Sequence, residues 1–214
     1  MKKGFLFTQR FDALDSLENN SYESIPVHKE FAYSWSAAFA YTNKEEIARF
    51  SDIITSGIRI FEKVCGFKPK CFTLRAQHFP IQLDSRIKEW GLEAINRPYK
   101  QKRKLTNNKY RSFTHKQTKL ENGLIQIIRN AVFEPNNNRG FNWVDFTFRQ
   151  IEIAFRMNKP ANISSHKVNF VGNIDPRNRE NGSSALRQLL RRIKDRWSEV
   201  EFLSVNELVN EIQK

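Results

Sequence analysis

Between Trp143 and Gly172 the chain spells a helix, a break and a short strand in immediate succession, and this order leaves few folds open. Val144, Phe148, Ile151 and Phe155 recur at helical spacing, which predicts an amphipathic helix over Trp143–Met157. Asn158 supplies a C-cap and Pro160 ends the helix. Residues 161–165 then read as a short strand, with His166 where the strand should stop. Alternation of this kind argues for parallel strands joined by right-handed crossovers. In barrels of strands and helices, chemistry collects at the C-terminal ends of the strands. A histidine at such an end is either hydrogen-bonded into a core or a working group.

The same alternation runs from Thr42 to the end of the chain. Thr42 and Glu45 form a capping-box pattern, and Ile47, Phe50, Ile54, Ile58, Phe61 and Cys65 mark a helical stripe that Gly66 stops. Lys70–Leu74 reads as a strand with Arg75, Gln77 and His78 at its end. Pro80 opens a second helix, with Leu83, Ile87 and Trp90 inward and Gly91 as its stop, and Leu92–Ile95 is another strand. Leu124–Phe133 returns to strand character, closed by Glu134-Pro135 and a turn cluster at 136–140. Residues 171–182, rich in Gly, Asn, Asp and Pro, read as a loop before a helix over Ser183–Trp197, with Leu186, Leu189, Leu190 and Ile193 inward. Val200–Leu203 is a last strand, and Ser204 with Glu207 makes a second capping box. The expected class is α/β, with parallel strands alternating with helices. A closed barrel of the common kind needs about eight strands, so an open half-barrel is expected here. A length of 214 residues suits one domain, with a poorly defined segment over 1–41 and the body over 42–214.

The first segment is less regular. Gly4–Phe7 could be a strand and Phe11–Asn20 a short helix. Asp12, Asp15 and Glu18 lie three apart on that helix, which suits either metal ligands or a solvated face. The opening residues hold too short an apolar run for a signal peptide, and no run reaches membrane-spanning length. Cys65 and Cys71 are the only cysteines, and their number and spacing fit free thiols in a reducing compartment. These features together lead us to expect a cytoplasmic protein.

Lys and Arg number 36 against 23 Asp and Glu, a net charge of +13 that favours polyanionic partners. The basic side chains concentrate between Asn96 and Asn122, which reads as a long loop. Arg97, Lys102, Arg103, Lys104 and Lys119 are there, with Tyr99, Tyr110, Phe113 and His115 interleaved. Such a stretch is either a solvated loop or a seat for a single-stranded nucleic acid or a sugar polymer.

Several segments in order carry a resemblance. GFKPKCFTLRAQHFP, IQIIRNAVFEPNNN, NWVDFTFRQIEIAFRMNKPANISSHKVNFVGNIDPRNR and RWSEVEFLSVNELV are similar to the later part of bacterial polysaccharide deacetylase-like proteins of the carbohydrate esterase family four type. The resemblance covers roughly residues 40–214 and implies a glycoside hydrolase/deacetylase (β/α) barrel, here its C-terminal half. It implies hydrolysis of N- or O-acetyl groups on a carbohydrate polymer, with His166 as general acid. It also implies a divalent metal such as zinc in intact relatives, held by an Asp-Asp pair and a His-x-x-x-His pair. Neither motif occurs in this chain, whose histidines are His28, His78, His115 and His166. The expectation is therefore a truncated domain, without cofactor and inactive as a single chain, that could associate with a complementary one.

Metal-assisted deacetylation needs a polarised carbonyl, a base and an acid for the departing amine. His166 could supply the acid and Glu134, at a strand end, a base. Arg75 and Arg129 could bind an oxyanion, and Gln77, His78, Asn130 and Asn169 complete the candidate substrate contacts. The alternative is a non-catalytic module that binds an anionic glycan or nucleic acid through the basic loop at 97–119.

Overall fold

The computed structural model describes Phe39, Tyr41 and residues 44–74, 79–104 and 110–214. The elements expected at 4–7 and 11–20, the Asp12 and Asp15 pair, Thr42, and the candidate contacts Arg75, Gln77 and His78 lie outside them. The described chain is mixed α/β. It divides into two compact units: one runs to Leu92 and includes Lys100–Thr114, and the other holds Glu93–Tyr99 and His115–Lys214.

The first unit is led by helix α1, Lys44–Cys65, whose first turn carries Glu45 and Glu46 at the positive end of the helix dipole. Ile47, Phe50 and Ile54 are buried. Phe39 meets the rings of Phe50, Phe72 and Phe79 edge-on at 5.6, 5.7 and 5.5 Å. The far half of the expected stripe differs, because the helix outruns this core: Phe61 and Cys65 are exposed. Phe61 packs on Phe67 instead, with ring centroids 5.4 Å apart. Gly66 ends the helix at φ 76, donating its N–H to Glu62 O (2.9 Å).

Strand β1 is Cys71–Thr73. The helix expected after Pro80 is a 3-10 turn, Ile81–Leu83, followed by the single turn α2, Arg86–Glu89. The basic stretch read as a loop contains an antiparallel hairpin, β3 (Lys100–Lys104) with β4 (Tyr110–Thr114), in which Lys100 faces Thr114 and Lys104 faces Tyr110. Lysine and arginine hid its two-residue period. Gln101 anchors it: the side chain is fully buried and donates Nε2 to Phe79 O (3.2 Å).

In the second unit, β2 (Ala94–Pro98) runs parallel to β6 (Ile125–Arg129), with Ala94 opposite Ile125 and Pro98 opposite Arg129. The short β5, Thr118–Lys119, pairs antiparallel with β6. Four successive residues of both β2 and β6 are buried, the pattern of strands covered on both faces. The run Leu124–Phe133 is not one strand. It breaks at Asn130, and β7 (Ala131–Val132) joins a different sheet, parallel to β8 (Ile163–Ser164). Among the described residues the strands do not close into a barrel.

Three helices complete this unit. α3, Trp143–Arg156, starts at Asn142, whose side chain accepts from Val144 N (2.8 Å) and Asp145 N (3.2 Å). Its C-cap is Met157, one residue before the expected Asn158, which follows in the left-handed conformation at φ 52. α4, Pro176–Arg196, begins at Pro176 rather than Ser183, because Asp175 caps it and Pro176 sits in its first turn. α5, Val205–Gln213, has the full capping box of Ser204 and Glu207. The core joins Ala131 and Phe133 to Trp143, Phe148, Leu189 and Ile193. Trp197 stacks on Phe148 (5.3 Å) and meets Phe155 edge-on (4.8 Å). The strand expected at Val200–Leu203 does not form; Val200 N turns back to Trp197 O (3.2 Å), and a strand without a partner has no ladder to join.

Candidate active site

Strands β7 and β8 are short, but they run in parallel and bring two chain segments to one end. Phe133 N donates to Ser164 O (2.9 Å), which extends the pairing past Val132. The next residues are Glu134 on one strand and Ser165 and His166 on the other. Ser165 Oγ donates to Phe133 O (2.5 Å), a further clamp across the pair.

Glu134 and His166 form a tight dyad. Glu134 Oε1 lies 2.7 Å from His166 Nδ1 and accepts the His166 backbone N–H at 3.1 Å. Its other oxygen, Oε2, accepts from Asn169 Nδ2 at 2.6 Å. The carboxylate side chain is 12% exposed and the imidazole 70%. A carboxylate that accepts at Nδ1 fixes the neutral ring with its proton on Nδ1, by the logic of the network. Nε2 is then left to face solvent. It takes a proton when neutral and gives one when charged, so one atom serves as general base or general acid.

Asn169 holds the dyad from below. It sits on the 3-10 turn Lys167–Asn169, is buried to 1% exposure, and also donates to His166 O (2.9 Å). Its Oδ1 accepts from Asn136 N (3.2 Å), while Asn136 Nδ2 donates to Asn169 O (3.1 Å) and Asn178 O (2.8 Å). The turn after Glu134, the turn after His166 and the start of α4 are thus one hydrogen-bonded block.

The expected residues are sorted by this geometry. His166, Glu134 and Asn169 meet. Asn130 is at the opposite end of the strand pair: its Oδ1 accepts from Asn162 N (2.7 Å) and its Nδ2 donates to Pro160 O (2.9 Å), so the amide fastens β8 to β7 where the strands begin. Arg129 ends β6, one strand before Glu134, and burial lowers its guanidinium pKa from the ordinary value. Ser165 and Asn136 were not anticipated. The only signal for Asn136 is a run of asparagines between a strand end and a helix start.

A zinc-type centre needs about three protein ligands together. Among the described residues no three of His, Cys, Asp and Glu come together, and both oxygens of Glu134 are already engaged. No family model, no curated protein and no solved structure matches this chain.

Proposed function

We propose that the chain is a polysaccharide deacetylase-like hydrolase domain, the C-terminal half of a (β/α) barrel, in which His166 and Glu134 move the proton. One observation carries this reading: a solvent-facing imidazole aligned by a largely shielded carboxylate at the ends of two parallel strands. In the reaction, water adds to an acetyl carbonyl and the bond to the sugar nitrogen or oxygen breaks. His166 Nε2 takes a proton from the attacking water and passes it to that departing atom, and acetate is released. Glu134 keeps the ring aligned and stabilises its charged form, a role that needs the 2.7 Å contact at Nδ1. The described residues supply proton transfer but no group that polarises the carbonyl, so slow turnover is expected of this chain by itself. We assign it to the cytoplasm, with both cysteines as thiols in support. Among the described residues no helix is long and apolar enough to cross a membrane.

The test is acetate release from acetylated chitooligosaccharides and O-acetylated xylan, with and without added zinc, cobalt or nickel. His166→Ala should lower the rate by about a hundredfold or more, the usual scale for a lost acid–base group. Glu134→Gln should lower it less, because the ring keeps a partner at Nδ1. A rate unchanged in His166→Ala sinks the assignment. No release by the native chain under any of these conditions overturns hydrolysis and favours a binding module.

A further inference from the structure

Beside the dyad lies a hollow of about 390 Å³, formed by the turn after Glu134 and the first turns of α3 and α4. Its walls are Asn137, Asn178 and Asn181 with the rings of Phe141 and Trp143. Trp143 Nε1 donates to Asn137 O (2.6 Å), which fixes the indole in place. Phe141 packs against it at 4.8 Å and is 42% exposed, so part of an aromatic side chain borders the hollow and meets solvent. Among the described residues the side-chain amides of Asn137, Asn178 and Asn181 bond to nothing in the protein. Each offers two donors and an acceptor.

The formal charge on the hollow's wall sums to zero. Asn142 and Asp175 accept backbone N–H groups in the first turns of the two helices that border it. Arg177, 80% exposed, pairs with Asp175, with Nε at 3.0 Å from Oδ1 and Nη2 at 2.9 Å from Oδ2. What remains is an aromatic wall and uncharged amides, a surface suited to a ring that has an apolar face and a rim of hydroxyls.

We propose that this hollow is a subsite for an uncharged sugar residue of a glycan chain. It deepens the hydrolytic reading, and rests on it for the claim that the bound chain is presented to His166. Asn136 provides the physical link, since its N–H and amide tie the hollow's turn to Asn169 and α4. The net charge of +13 would by itself suggest an acidic glycan; the local chemistry selects a neutral one.

Calorimetric titration of the full chain tests this, using chitotetraose, cellotetraose and xylotetraose against tetragalacturonate of equal length. At least one neutral tetrasaccharide should bind in preference to the anionic one, with little dependence on salt. Phe141→Ala and Asn181→Ala change exposed side chains and should each weaken binding about tenfold. Preference for tetragalacturonate, binding by none of the four, or native affinity in both variants overturns the subsite. Acetate release by a chain whose binding ignores these variants removes the subsite and spares the hydrolytic reading. Binding that the variants weaken, with no acetate release, removes hydrolysis and supports the subsite.

Discussion

Asn169 bears more hydrogen bonds than any other side chain around the dyad, donating to Glu134 and His166 O and accepting from Asn136. Asn169→Ala would leave a buried Glu134 oxygen and the Asn136 N–H without this partner. Leaving a buried polar group unsatisfied costs about 1–3 kcal/mol, so the unfolding free energy from a urea titration should fall by that amount and the midpoint should move to lower urea. The imidazole should also lose its fixed orientation, seen as a broadened His166 signal in NMR. A native midpoint together with a native spectrum would show that Asn169 does not hold the site. His166, Glu134 and Asn169 were readable because each stands at or just past a strand end. Ser165 and Asn136 were not, because their partners Phe133 and Asn169 are distant in the chain and a hydroxyl or amide has no pattern of its own.

Helix α4 shows the same limit one scale up. Gly182 sits inside it, where alanine would raise helix propensity by about 1 kcal/mol. A Cβ there would instead collide with the carbonyl of Asn169, on the turn that supports the dyad. Gly182→Ala should therefore destabilise the fold and lower acetate release together; a stabilised variant with full activity would contradict the close approach. The composition of 171–182 suggested a loop, yet Asp175-Pro176 is a helix start and Gly182 marks packing rather than a turn. The α5 capping box, by contrast, was fully visible as Ser204 and Glu207. Hydrogen bonds to the carboxylate from the Ser204 backbone N–H and then from the Ser204 side chain hold the Glu207 carboxyl below its usual pKa. A carboxyl depressed in the folded state stabilises it above the unfolded pKa and loses that contribution as pH falls through the folded one. Protection of the Val205–Gln213 amides against exchange, taken relative to the intrinsic rate at each pH, should thus fall on acidification through and below the ordinary carboxylate range, and Glu207→Gln should flatten that dependence. Equal pH profiles for the two proteins would remove the capping box as the cause.

Taken whole, the molecule has its positive charge unevenly disposed, with the hairpin strand Lys100–Lys104 reading KQKRK. Retention on heparin or nucleic acid should weaken when Lys102, Arg103 and Lys104 are replaced by Ala, and the salt needed for elution should fall. Unchanged elution would move polyanion binding away from the hairpin. Arg97, counted in the same basic stretch, is 1% exposed and belongs to the interior. The α/β alternation was legible at this scale because hydrophobic periodicity reports it directly. The division into two units was not. No Gly-, Pro- or Ser-rich linker marks it, and the chain leaves one unit and re-enters it around a hairpin that charge made look like a loop.

That hairpin leaves β2 after Tyr99 and rejoins its unit at His115, and His115 N donates to Tyr99 O at 2.9 Å. Departure and return are thus one hydrogen bond apart. With its ends pinned, an inserted segment adds closure entropy only slowly as it lengthens. The neck acts as a clasp: Ala94 opposite Ile125 and Thr118 opposite Gln126 keep their register on either side of it. The stretch it closes is not exchangeable for a foreign peptide, because Gln101 within it is fully buried and bonded to Phe79 O.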